Sequence, residues 1–212
     1  MNLPNKLTTS RLLLTGAFLW AMFSRNSYND TLALIFFGVA GITDFLDGKI
    51  ARERNLITNF GTLMDPLADK IMTCSAFIAL IERHMHNLMT GQLPVVFHLG
   101  DRPIYAKVEA WMVVIIVARE LGITGLRLLA ASKNVVLAAE RYGKHKTISQ
   151  IAAILALLVM NAYEEWWPWL HDLFSPWTPM FSLLALWLTV VLTATSGALY
   201  LWRNRALYLS DM

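Results

Sequence analysis

Four aspartates, Asp44, Asp47, Asp65 and Asp69, stand in a stretch that reads D-F-L-D-G-K-I-A-R, then eight residues, then G-T-L-M-D-P-L-A-D. Asp44 and Asp47 are three residues apart and Asp65 and Asp69 four, so on helices each pair shares a face. Apolar runs flank the stretch on both sides. A carboxylate at the centre of a membrane helix costs about 2.5–3.5 kcal/mol, so four that were deep and uncompensated would cost roughly 10–14 kcal/mol. A divalent cation with a phosphorylated substrate supplies the compensation. Oxygen-only donors of this charge suit magnesium or manganese, and four carboxylates suffice for two ions. Such a pair of ions clamps the attacking and leaving oxygens of an in-line phosphoryl displacement. The plainer alternative is a set of aspartates at helix ends, solvated or paired with Lys49, Arg52 and Arg54.

Residues around the aspartates add detail. Gly48 and Ala51 continue the first face and Gly61 stands one turn before Asp65, which lets two membrane helices approach closely. Arg52, just beyond the first face, is placed to meet a phosphate or a nucleotide. Pro66 lacks an N–H and suits a first helical turn, which predicts a helix that begins or kinks near Asp65. A second group is cationic. Arg119 and Arg127 are eight residues apart, slightly over two turns, and Lys144 and Lys146 stand in G-K-H-K-T at 143–147. Together they form a pocket able to hold a second phosphate. Ordinary cytoplasmic-side charge explains Lys133 and Arg141 well. It explains Arg119 poorly, because that residue lies deep in an apolar run. His145 is assigned no role.

Positioning such groups requires a scaffold, and composition says which kind. Of 212 residues 56% are hydrophobic, and the mean hydropathy is +0.48, far more apolar than a soluble domain. Six apolar segments, at about 7–23, 31–50, 64–81, 107–131, 147–163 and 179–202, predict an all-α bundle of six transmembrane helices. The expected architecture is one domain over 1–212 with a polar cavity open to the cytoplasm. Lys and Arg cluster before the first segment, between the second and third, between the fourth and fifth, and after the sixth. The stretch 162–178 has none, but carries Glu164, Glu165 and Asp172. By the positive-inside rule both termini and the aspartates face the cytoplasm, with the bundle in the cell membrane.

Trp166, Trp167, Trp169 and Trp177 read as an interfacial aromatic belt. The stretch 84–104, with Gly91, Pro94, Gly100 and Pro103, reads as an outer loop in which His84 and His86 are solvated. The single cysteine, Cys74, excludes a disulfide within the chain and reads as a small packing residue. The first apolar run lacks a small-x-small cleavage site and reads as a retained helix. A net charge of +3 is too small to imply nucleic acid.

The pattern D-x-x-D-G-x-x-A-R-x8-G-x-x-x-D-x-x-x-D resembles that of the CDP-alcohol phosphotransferase family of membrane enzymes. Asp44, Asp47, Gly48, Ala51, Arg52, Gly61, Asp65 and Asp69 match it without departure over 26 residues, and the six-segment layout extends the likeness over nearly the whole chain. The resemblance implies a displacement at the β-phosphorus of a CDP-linked lipid, with an acceptor hydroxyl attacking and CMP leaving. It makes Asp44, Asp47 and Asp65 ligands of magnesium or manganese, and Asp69 both ligand and general base. A dication beside Asp69 weakens it as a base, but the same coordination acidifies the acceptor hydroxyl. The resemblance also assigns Gly48, Arg52 and Thr58 to the CDP moiety. Asn5 and Thr8, in L-P-N-K-L-T-T-S-R, would contact cytidine or pyrophosphate, helix capping being the alternative for Asn5. A-R-E at 118–120 and G-K-x-K-T resemble the branch that joins glycerol 3-phosphate to CDP-diacylglycerol. Other branches use phosphatidylglycerol, giving cardiolipin, or an inositol phosphate. A homodimer is implied by the family alone.

Two readings of another class compete. The same carboxylates would suit a divalent-cation or proton-coupled transporter, but they cluster toward one side of the membrane and the last two segments offer no matching path. A structural scaffold would use Ala118, Gly122 and Gly125 as its interface, residues that equally serve packing within one chain.

Overall fold

The computed structural model describes residues 3–24, 26, 28–54, 59–133 and 142–209, and the side chains of 9–24, 26, 28–44, 67–133, 146–205 and 207–208. The chain runs α1 (Leu3–Phe23), α2 (Asn29–Arg54), α3 (Asn59–Met89), β1 (Val95–Leu99), β2 (Arg102–Tyr105), α4 (Ala110–Ser132) and α5 (Tyr142–Ala162). A 3-10 turn at Tyr163–Glu165 follows, then α6 (Pro168–Phe174), α7 (Thr178–Arg203) and α8 (Ala206–Leu209). The long helices α1 to α5 and α7 coincide with the six apolar segments. Among the described residues, Lys146–Glu165 and Thr178–Arg203 are long and apolar enough to cross a membrane, and Thr9–Phe23 is a shorter apolar helix. The fourth helix is as long, but holds Arg119, Glu120 and Arg127 in its middle.

Helix α1 packs on α2 and α3, α5 on α7 and α2, and α4 on α7 and α3. The core they share includes Phe18, Phe37, Phe77, Leu80, Leu157 and Leu186, each at most 2% exposed. Rings of Phe18 and Phe37 meet at 5.7 Å between α1 and α2. Buried alanines, Ala21, Ala33, Ala40 and Ala76, keep the backbones close. Trp111 at the start of α4 meets Trp187 in the first half of α7 at 5.7 Å, and Arg127 meets Tyr200 further along both, so these two helices run parallel. The outward faces are apolar: Leu13, Ile35, Ile78, Val114, Leu184 and Val191 are exposed. Gln150, Asn161, Ser182, Thr189 and Thr193 are buried instead.

One end of the bundle is pinned by charge. Glu165 accepts from the backbone N–H groups of Asp30 at 2.9 Å and Thr31 at 2.8 Å, which satisfies donors that the first turn of α2 cannot pair internally. Arg83 on α3 donates to both oxygens of Asp30, through Nε at 2.8 Å and a terminal nitrogen at 2.6 Å. Trp166 donates to Thr31 Oγ1 at 3.0 Å, so a residue of the aromatic belt also anchors α2. A cavity of about 710 Å³ opens here, lined among others by Asp30, Arg83, Asn87, Asn161 and Glu164.

Three local expectations change. Helix α3 begins at Asn59, six residues before Asp65, and continues through Pro66; the proline removes one backbone donor without setting the start. The stretch read as an outer loop contains an antiparallel hairpin of β1 and β2, with Leu99 opposite Arg102. Gly100 takes φ 63° at the first of the two central turn positions, where primed hairpin turns place glycine. His84 is not solvated. It lies in α3, 1% exposed, and its Nδ1 accepts from the backbone N–H of Val108 at 3.0 Å.

Candidate active site

The motif is divided between two helices. Asp44, Asp47, Gly48, Ala51 and Arg52 fall on the second half of α2, and Gly61, Asp65 and Asp69 on the first half of α3. Asp44 and Asp69 are among the described side chains. Those of Asp47, Gly48, Arg52, Asp65, Asn5, Thr8 and Lys144 are not, and Thr58 lies outside the described residues altogether. Asp44 is about half exposed (47%), and its Oδ1 is 2.5 Å from a terminal nitrogen of Arg11, itself 1% exposed. Asp69 interacts electrostatically with Asp44, Arg11, Lys146 and Lys70. The Asp44 and Asp69 carboxylates, on consecutive helices of the chain, are close enough for each to feel the other's charge. Arg11 already pairs with Asp44; as donors the carboxylate oxygens are hard and suit a hard cation. The pair fits magnesium or manganese on those grounds. No group of three such ligands forms among the described residues.

Beside this acidic pair lies a cluster of cations gathered around one carboxylate. Glu120 holds two cations at one oxygen: Arg119 at 3.2 Å and the ammonium of Lys146 from α5. Lys70 donates to Thr124 Oγ1, and that hydroxyl donates to the Glu120 carbonyl at 2.7 Å. Lys70 also interacts with Arg127 and Arg119. Arg127 is exposed, with its guanidinium 6.0 Å from the Tyr200 ring centre. Of the four cations picked out by spacing, Arg119, Arg127 and Lys146 are thus brought to one side of α4, where Lys70 joins them.

Three members of the site are poorly marked in the sequence. Arg11 reads as topogenic charge ahead of an apolar run, and its partner Asp44 is too far along the chain for helical spacing to reveal it. Lys70 follows Asp69 directly, a position on a different helical face by simple spacing. Glu120 is visible in A-R-E, but its grip on Lys146 joins two helices.

Residues 1–195 match the family model described as CDP-alcohol phosphatidyltransferase. The chain belongs to that family. Among curated relatives, the CDP-diacylglycerol–glycerol-3-phosphate 3-phosphatidyltransferase of Bacillus subtilis is 36% identical over 216 residues, covering 96% of this chain and 95% of the relative. The protein of the same name from Rickettsia felis is 32% identical over 158 residues, 74% of this chain and 75% of the relative. A probable phosphatidylglycerophosphate synthase of Mycobacterium tuberculosis is 36% identical over 156 residues, 72% of this chain and 64% of the relative.

Proposed function

We propose that this chain is an integral membrane enzyme that transfers the phosphatidyl group of CDP-diacylglycerol to glycerol 3-phosphate, forming phosphatidylglycerophosphate and releasing CMP. The observation that carries this reading is the meeting of Arg119 and Lys146 at Glu120, with Lys146 in the field of Asp69. A cationic cluster beside the motif suits an acceptor that carries its own phosphate, which a neutral alcohol acceptor would not require. The relatives named above bear the same reaction in their names. Large apolar side chains on the outward faces, such as Leu13, Ile35, Ile78, Val114 and Leu184, with Gln150, Asn161 and Ser182 buried inside, support six membrane spans. The charge asymmetry supports a cavity open to the cytoplasm, with both termini on that side.

In this mechanism Asp44, Asp47, Asp65 and Asp69 hold the dications. When bound, magnesium or manganese offsets charge on the pyrophosphate and acidifies the acceptor hydroxyl. Gly48, Arg52, Thr58, Asn5 and Thr8 hold the CDP moiety. Arg119, Arg127, Lys144 and Lys146 hold the acceptor phosphate, bidentate where arginine is the donor. Asp69 takes the proton of the acceptor hydroxyl, whose oxygen bonds to the β-phosphorus as the bond to CMP breaks. The acyl chains leave laterally between helices into lipid.

Purified protein in detergent, supplied with both substrates and magnesium or manganese, should release CMP. Chelation should stop the release and either metal restore it. Release of CMP that persists in Asp65→Asn and Asp69→Asn rejects the chemistry. Glycerol 3-phosphate offered together with phosphatidylglycerol and an inositol phosphate, with the lipid products separated by mass spectrometry, tests the acceptor.

A further inference from the structure

Among the described residues, one helix glycine has its open side occupied. A Cβ built on Gly197 of α7 would stand 2.8 Å from Arg119 Cγ and 3.6 Å from Arg119 Cβ. Gly16, Gly38, Gly41, Gly122 and Gly125 would meet nothing within 4 Å. Gly197 lies inside a long helix, where glycine is less favourable than alanine, so helix formation does not account for it. What glycine supplies here is room. The atom it admits belongs to the middle of the arginine stem, so an added methyl must turn the side chain about its first torsions and carry the guanidinium with it.

We propose that Gly197 is a positioning residue for acceptor binding: by lacking a side chain it seats the stem of Arg119 against α7 and so directs the guanidinium to the pocket it shares with Glu120 and Lys146. The adjacent turn of α7 supports the same arrangement, because Tyr200, 3% exposed, lies beside Arg127. Parallel packing of α4 and α7 thus gives each arginine its own contact on α7. The inference rests on Arg119 holding the acceptor phosphate.

Steady-state kinetics on Gly197→Ala, Arg119→Ala and the double variant test it. Each single variant should raise KM for glycerol 3-phosphate by about 10- to 100-fold, as displacement of a binding group by about an ångström does, and leave KM for CDP-diacylglycerol unchanged. The double variant should be no worse than Arg119→Ala, since Gly197 has nothing to position once the stem is gone. A Gly197→Ala enzyme with ordinary acceptor KM, or with both KM values raised alike, overturns the proposal. Should Gly197→Ala fail to fold, the double variant still decides: equality with Arg119→Ala supports the proposal, and a further loss overturns it. An Arg119→Ala enzyme with unchanged acceptor KM removes the phosphate assignment itself, and this inference with it.

Discussion

The two ends of this bundle treat charge in opposite ways. At the end formed by the start of α2 and the 163–165 turn, every named charge has an opposite or a donor: Arg83 grips both oxygens of Asp30, and Glu165 grips two backbone N–H groups. At the other end, ion pairs such as Arg11–Asp44 and Arg119–Glu120–Lys146 are crowded by further charges of like sign. Asp44 stands in the field of Asp69, and Lys70 in that of Arg119 and Arg127. A closed ion network in a low-dielectric bundle holds helices together. An arrangement of like charges opposes folding unless something of opposite sign is to enter it. The difference marks the aspartate end as the one where substitutions should be tested for an effect on chemistry.

Substitutions at the two ends should therefore fail in different ways. Asp69→Asn keeps the shape and removes the proposed proton acceptor, so CMP release should fall by about 10²–10⁴-fold, with melting in detergent little changed. Arg83→Ala leaves a buried carboxylate unpaired and should cost about 3–5 kcal/mol of stability, measured by denaturation, while the preference among acceptors stays the same. Lys146→Ala should raise KM for glycerol 3-phosphate about tenfold, roughly the loss of one charge-assisted hydrogen bond, without a matching rise for CDP-diacylglycerol. Glu165→Gln removes the anion at the start of α2 and should lower stability by about 1 kcal/mol with no kinetic effect. A kinetic phenotype in the Glu165 variant larger than its stability loss would erase the distinction between the two ends.

The helical framework was largely legible because each long helix follows an apolar run, and the motif was legible because its spacing is helical. What the sequence hid depends on contacts between distant segments. The pairing of Arg11 with Asp44 joins α1 to α2. His84 finds its donor at Val108, 24 residues on, so its burial left no local sign. The hairpin 95–105 is short, and Pro103 and Arg102 interrupt the apolar alternation that marks a strand. Pro66 misled for the opposite reason: a strong local preference is overridden inside a helix of 31 residues. Gly197 carries no local signal, because its meaning is a neighbour on another helix.

Helix α3 belongs to both ends at once. Asp69 and Arg83 lie on the same helix fourteen residues apart, about 21 Å at 1.5 Å per residue. A stiff rod of that length converts angle into distance: a tilt of about five degrees about the Arg83 clasp sweeps the carboxylate at its far end through roughly 2 Å. An error of angle at the Arg83 clasp is therefore magnified at Asp69, at the other end of the same helix.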